Sequence, residues 1–430
     1  MLEHMALRLP FSGVDRRTVW LRATLLSACF FGLLASLPLW LNAHTFPLLP
    51  IVPGFPILGS PWDKCLFGSM LLALLLAAWF YRAAITFFLL AVLFAFCEDQ
   101  NRGQPWLYMY WVMLWLTLLP APASIAACRL ALSVTYIWSG IQKFNARFFQ
   151  VAPAWFVSPA AHWHLPPAAI ELLRWGVASA PFVELGIGLA LWSPRLRPGA
   201  IGAGAGLHLA ALLFLGPLGH NYNWVVWPWN LAMIALLFAL FATGRLWQKN
   251  PAEGSSSTWG KVRRGGAASK QPVATSLGPR LAQTFAGLRR SKPAVAALAL
   301  YSLLPILSYF GWWDSYFSFS LYAENSANAN IFVTQAFGDR LPPKLRAYVQ
   351  QFPQAYDPQH QGPCVFVFFA WCYEELHVPP ISEPRNFRSI FNALRAYSRE
   401  PNDLRMIVGQ RAGPVIFYQG DTREFLTPKP

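Results

Sequence analysis

Tyr136-Ile-Trp-Ser-Gly-Ile-Gln-Lys143-Phe-Asn-Ala-Arg-Phe-Phe149 closes an apolar run that begins near Ala126. The run predicts a membrane helix, and a lysine stands at its end, one turn after a glycine. Placing an ammonium in or beside hydrocarbon is costly, so a lysine there is a functional candidate. The competing reading is a side chain that snorkels to the lipid surface together with Arg147.

The rest of the chain has the same character. Hydrophobic residues make up 55% of the 430 residues and charged residues 12%, about half the ~25% of soluble domains. The 20 tryptophans suit a chain that meets bilayer interfaces. A spanning helix needs about 20 mostly apolar residues. On that basis about nine spans are predicted, at 19–42, 64–81, 83–97, 105–121, 124–143, 169–192, 198–217, 224–243 and 294–313. The first lacks a convincing small-residue cleavage site and reads as a retained anchor, not a signal peptide. The expected fold is an all-α polytopic membrane bundle with a small C-terminal extracytoplasmic α+β domain.

Basic residues orient this bundle. Arg8, Arg16, Arg17 and Arg22 precede or open the first span, which predicts a cytoplasmic N-terminus. The stretch 245–293 carries ten basic residues against Glu253 alone, a surplus of nine in a net charge of +15. Its Gly, Ser and Ala content reads as a flexible basic cytoplasmic linker between a domain at 1–244 and a final helix at 294–313. Anionic headgroups account for this charge better than nucleic acid does, so membrane lipids are the expected partners and nucleic acid is not. A bacterial inner membrane is the expected location, with residues 314–430 periplasmic. In that last domain Asn330-Ile-Phe-Val-Thr-Gln and Cys364-Val-Phe-Val-Phe-Phe read as strands, Phe387 to Tyr397 as a helix, and Met406-Ile-Val-Gly with Val415-Ile-Phe-Tyr as a hairpin. Cys364 and Cys372 share that compartment and are candidates for a disulfide.

Polar residues gather at a few places. Glu98-Asp-Gln-Asn-Arg102-Gly-Gln-Pro-Trp106 joins two spans and is too polar for an idle turn. His220-Asn-Tyr-Asn-Trp224 precedes another. Glu184 and His208 lie inside consecutive spans, eleven positions before Arg195 and eleven after Arg197, and so at comparable depth. A carboxylate and an imidazole so placed are expected to face each other or a common cavity; the alternative is a hydrogen bond that fixes helix packing. No metal is predicted: His162-x-His164 lacks helical i, i+4 spacing and an acidic companion. The small residues from Gly199 to Gly206 read as a helix-packing surface.

Tyr136-x-x-Ser139-Gly140-x-x-Lys143-Phe144-Asn145 resembles a helix end of the vitamin K-dependent gamma-carboxylase superfamily, also called the horizontally transferred transmembrane (HTTM) family. There a related aromatic-Gly-x-Lys-Lys-Leu-Asp stretch supplies the catalytic lysine, and the matching position is Lys143. Glu184, His208 and Asn221 or Asn223 resemble the family's acidic, His and Asn progression. The stretch Asp99 to Trp106 is similar to that of bacterial members. The resemblance spans roughly 15–245. It implies Lys143, His208 and Glu184 as catalytic groups, and Asp99, Arg102, Trp106, Tyr136, Asn221 and Asn223 as substrate contacts. The chain departs from the pattern at Gln142, where the family has its first lysine, and at Asn145, where it has Asp. With so short an outer domain, these departures argue against carboxylation of a protein.

The resemblance also implies an intramembrane pocket open to the outer face, holding a quinol, a vitamin K-like hydroquinone or another small lipid-soluble substrate. Lys143 is its general base. The competing hypothesis is a non-catalytic scaffold or lipid-binding subunit that presents its outer domain to a protein partner. The two separate on whether Lys143, His208 and Asp99 line one cavity.

Overall fold

A computed structural model describes residues 15–242, 291–351, 364–411, 414–420 and 422–426. The basic stretch 245–293 lies outside the described residues apart from Ser291, Lys292 and Pro293.

Among the described residues eleven helices form the bundle: α1 (Arg16–Ala35), α2 (Trp62–Leu76), α3 (Tyr81–Glu98), α4 (Pro105–Leu116), α5 (Ala121–Gln142), α6 (Ala146–Val157), α7 (Pro167–Ala178), α8 (Ala180–Ala190), α9 (Arg197–Leu215), α10 (Val226–Phe241) and α11 (Lys292–Leu303). Among the described residues five are long and apolar enough to cross a membrane: α1, α3, α5, α9, and α11 with its 3₁₀ continuation to Phe310. The pair α7–α8 makes a sixth if its two halves are one span. Each of the nine expected segments contains helix, yet α2, α4 and α10, at 15, 12 and 16 residues, are short of spanning length. Most of α4 is buried among its neighbours. The outward faces of the long helices carry large apolar side chains such as Phe31, Leu90, Leu172, Phe182, Leu209 and Leu300, all well exposed. Helices apolar on both faces belong in lipid.

Two sequence features break expected elements. The segment 169–192 is two helices bent by 48° at Ser179, because Pro181 in the first turn of α8 has no N–H and its ring crowds the preceding turn. The stretch between the expected spans 124–143 and 169–192 contains a further helix, α6, whose N-cap Asn145 accepts the Phe148 N–H at 2.9 Å.

Arginines brace one end of the bundle. Arg17 donates to the Ala242 carbonyl at 2.6 Å, Arg129 to Leu240 at 2.6 Å and Arg197 to Leu191 at 2.9 Å. These carbonyls end α10 and α8, where helix groups lack internal partners and cations are favoured.

At the opposite end sits a domain of mixed structure. Among the described residues its strands are β1 (Asn328–Val333), β2 (Val349–Gln351), β3 (Cys364–Phe366), β4 (Leu404–Gly409), β5 (Val415–Gln419) and β6 (Thr422–Leu426). They form one antiparallel sheet in the order β2-β3-β1-β4-β5-β6. Helix α12 (Gln335–Arg340) and a single turn, α13 (Pro343–Arg346), link β1 to β2. The apolar face of α15 (Pro384–Arg395), with Phe387, Ile390, Phe391 and Leu394, is buried, as are Leu404, Met406 and Val408 on alternate positions of β4. The apolar run after Cys364 is strand only to Phe366, and α14 (Phe368–Leu376) starts at once. That change places the two cysteines on different elements. Both thiols are free: Cys364 contacts Gln335 Oε1 and Cys372 the Val378 carbonyl.

Candidate functional site

The C-terminal half of α5 is held against α8 by two glycines. A Cβ on Gly140 would lie 2.7 Å from the Leu185 nitrogen and the Pro181 oxygen, and one on Gly188 2.8 Å from the Ser133 oxygen. Backbone therefore meets backbone. This contact brings Lys143 to Glu184, with Nζ 2.8 Å from Oε2. Lys143 also donates to its own helix, to Ser139 Oγ at 2.8 Å and the Ser139 carbonyl at 3.1 Å. An ammonium has three donors, and all three are engaged. Lys143 is only 6% exposed, so it does not snorkel.

A second polar group stands nearby. The His208 ring lies between Tyr136 OH, 2.6 Å from Nε2, and Asn230 Oδ1, 2.6 Å from Nδ1. Asn230 Nδ2 donates to the Val226 carbonyl at 2.7 Å. That bond obliges the amide oxygen to face His208, which must then donate from Nδ1. In the neutral tautomer Nε2 then accepts the Tyr136 proton.

Both groups line one cavity of about 530 Å³, bounded by α5, α7, α8, α9 and α10. The remaining wall is almost wholly apolar. On the side of the C-terminal domain the cavity is covered by Phe148, Phe156, Phe319 and Tyr322, where the sequence reading placed its mouth. The last two come from the segment that follows α11. This cover is tied down by Asn145, which donates to the Ala323 carbonyl at 2.7 Å, and by Trp155, which lies nearly parallel to the Tyr322 ring at 5.9 Å. Phe319 and Tyr322 have left-handed backbones, φ 59° and 51°, a conformation costly for side-chain-bearing residues.

Lys143, Glu184, His208 and Tyr136 are thus brought together. Glu184 and His208 share the cavity but bond to Lys143 and Tyr136, not to each other. Asp99, Arg102 and Trp106 are elsewhere and correct the expectation that they contact a substrate here. Arg102 is buried against Glu98 at 2.7 Å and donates to Asn42 Oδ1 and the Leu39 and Ala95 carbonyls. Asp99 accepts from the Leu49 and Asn101 amides. These charges satisfy a buried loop and helix end. Trp106 fills the space over Gly32, where a Cβ would come within 2.7 Å of its ring. Asn221 is an exposed left-handed turn residue (φ 48°), and Asn223 is buried with its backbone N–H on Tyr373 OH. Neither lines the cavity.

Asn230 and Ser139 were missed as site residues. A lone amide in the apolar α10 was the available signal for the first, and i, i+4 spacing from Lys143 for the second. Tyr322 and Phe319 follow the last apolar segment and gave none. Gln142 faces the C-terminal domain, where Oε1 accepts from Arg411 at 2.8 Å and from Asn325 at 3.1 Å. Further docking contacts are Arg385 to Gln100, and Glu375 to the Thr45 and Phe46 amides. Burial pushes the Glu375 carboxyl up, but these amides with the Thr45 hydroxyl and Trp371 outweigh it and hold the group below its usual range. Among the described residues no group of three or more His, Cys, Asp or Glu side chains is placed to hold a metal. Comparison of the chain with known protein families, curated proteins and solved structures finds no match.

Proposed function

We propose that the protein is an integral membrane enzyme that performs acid–base chemistry on a lipid-soluble molecule, with a quinol or similar hydroquinone as the substrate class. The observation that carries this reading is the convergence of Lys143–Glu184 and Tyr136–His208–Asn230 on one cavity with apolar walls. A cavity of this size with a few convergent polar groups suits a small ligand. Transfer of one proton from Lys143 to Glu184, across 2.8 Å, leaves a neutral amine as general base and a neutral carboxylic acid beside it. Neutral His208 then accepts a proton through Tyr136 from the other side of a bound hydroxyl-bearing ring. Membership of the carboxylase-like superfamily is part of the proposal, supported by the Tyr136–Asn145 motif. We assign Gln142, which faces away from the cavity, to domain docking.

The accompanying topology is nine membrane crossings in a bacterial inner membrane, with the N-terminus cytoplasmic and the C-terminal domain periplasmic. The arginine-braced end of the bundle and the basic stretch 245–293 support it. A C-terminal alkaline phosphatase fusion should be active and one near Ser256 silent; the reverse pattern refutes the orientation.

The chemical reading is tested with Lys143→Arg in the full chain, reconstituted in lipid nanodiscs with a menaquinol analogue under oxygen. Arg keeps a cation for Glu184 but does not deprotonate. The deprotonated quinol passes two electrons to oxygen, giving quinone and hydrogen peroxide; this consumption should be lost in Lys143→Arg while thermal stability stays near that of the native chain. Equal consumption with and without the substitution, or none by the native chain, refutes the enzyme.

A further inference from the structure

Four glycines punctuate α9, at 199, 202, 204 and 206. Glycine inside a helix costs about 1 kcal/mol relative to alanine, and close packing is the usual compensation. Only Gly204 shows it: a Cβ there would lie 2.6 Å from Leu237. At Gly199, Gly202 and Gly206 nothing lies within 4 Å of that position, nor does it at Gly176 on α7. The expectation of a continuous packing surface is corrected accordingly.

Gly176 and Gly206 both line the cavity, and both are exposed. So are Leu172, at 72%, and Ala210. The wall between α7 and α9 is therefore interrupted. Its cause is the break at Ser179, where the 48° bend directs α7 away from the line of α8. Gly206 lies nine residues into α9, ~14 Å along a helix of ~28 Å, so the gap falls near the middle of a candidate span. Exposed side chains on the same two helices are Trp175, Leu209 and Leu213.

We infer that the cavity opens sideways into the bilayer between α7 and α9, and that its occupant is a tailed amphiphile. A small hydrogen-bonding head sits between Lys143–Glu184 and Tyr136–His208, and an apolar chain leaves past Gly176 and Gly206. This rests on reading the cavity as a substrate site and adds the route and the tail. An opening at that depth meets hydrocarbon, so a water-soluble substrate does not reach it. At the other end the cavity is lined by the aromatic side chains of Phe148, Phe156, Phe319 and Tyr322.

The test uses the full chain in nanodiscs and two probes with the same head: 2,3-dimethoxy-5-methyl-6-decylbenzoquinol and its counterpart without the decyl chain. Retention of each by immobilised protein is measured chromatographically. Gly206→Trp and Ala210→Trp place an indole in the gap, and Gly199→Trp is the same kind of change on the same helix away from the cavity. The tailed probe should bind the native chain about tenfold or more tighter than the tailless one, equivalent to ~1.4 kcal/mol. Either plug should remove that retention and Gly199→Trp should not. Native-like retention by both plugged variants, or equal binding of the two probes, overturns the lateral route while leaving the site reading intact. No retention of either probe by the native chain overturns both.

Discussion

Removing either member of the Lys143–Glu184 pair should be costly, and removing both should not. The two side chains are 8% and 11% exposed, so neither ion is screened by bulk water. Deleting one partner of a buried ion pair strands the other charge and costs about 3–5 kcal/mol, whereas apolar replacement of both is often neutral or stabilising. Lys143→Met leaves Glu184 without its cation. Glu184→Leu leaves the ammonium with only the two Ser139 oxygens. The double variant should lie within about 1 kcal/mol of the native chain, giving a coupling energy of several kcal/mol. Reversible unfolding in mixed micelles of increasing denaturing-detergent fraction measures all four forms of the cycle. Single losses below about 1 kcal/mol, or a double loss equal to the sum of the singles, would refute the buried pair and return Lys143 to the lipid surface.

Other changes discriminate between parts of the structure. Gly140→Ala should cost about 1–3 kcal/mol by forcing α8 off α5, whereas Gly176→Ala, which meets open space, should be neutral or slightly stabilising in the same unfolding measurement. Arg102→Met should destabilise the bundle by stranding Glu98, yet any probe binding per folded molecule should be unchanged; selective loss of binding would reinstate the polar loop as part of the site. For Asp403, burial alone raises the carboxyl, but the Glu400 and Arg399 amides and the Arg340 guanidinium hold it to about 2. A depressed acid stabilises the fold fully above its unfolded value of about 3.9. That contribution should fade as pH falls from about 4 towards 2, and amide exchange in β4 should show the fading in the native chain and not in Asp403→Asn.

The site was legible wherever depth along a helix decided it. Lys143 closes an apolar run, and Glu184 and His208 lie equally far from the turn at Arg195 and Arg197, so both reach one cavity. Rotation about the helix axes was not legible. It depends on Gly140 and Gly188 setting the α5–α8 contact and on Pro181 breaking the span, and it decides that Glu184 meets Lys143 while His208 meets Tyr136. The loop from Glu98 to Gln104 misled for a related reason. Dense polarity beside a span suits a substrate site and a buried loop equally. The partners that decide it, the Leu49 amide and Asn42, lie about 50 and 60 positions away in sequence. In the C-terminal domain, alternation exposed β1, β4 and β5, which pair through short connections or a broad register. The run from Cys364 was read as a strand, and strand it is as far as Phe366, whereas the three-residue β2 carries too little pattern to be read.

The scaffold hypothesis has to account for the cost of the polar wall. A bundle that only presents its outer domain gains nothing from an ion pair inside an apolar cavity, since well-packed apolar residues there are commonly as stable or more so. A purely structural pair would also be expected in a closed interface, as Arg102–Glu98 is, with all its partners drawn from loop and helix ends. Lys143–Glu184 instead borders open volume, together with a histidine whose tautomer is set by an amide that is itself fixed by a helix carbonyl. Both groups line the cavity and are fixed by hydrogen bonds to the surrounding helices. That arrangement keeps proton donors and acceptors oriented before anything binds, which is what acid–base chemistry in a low-dielectric site requires.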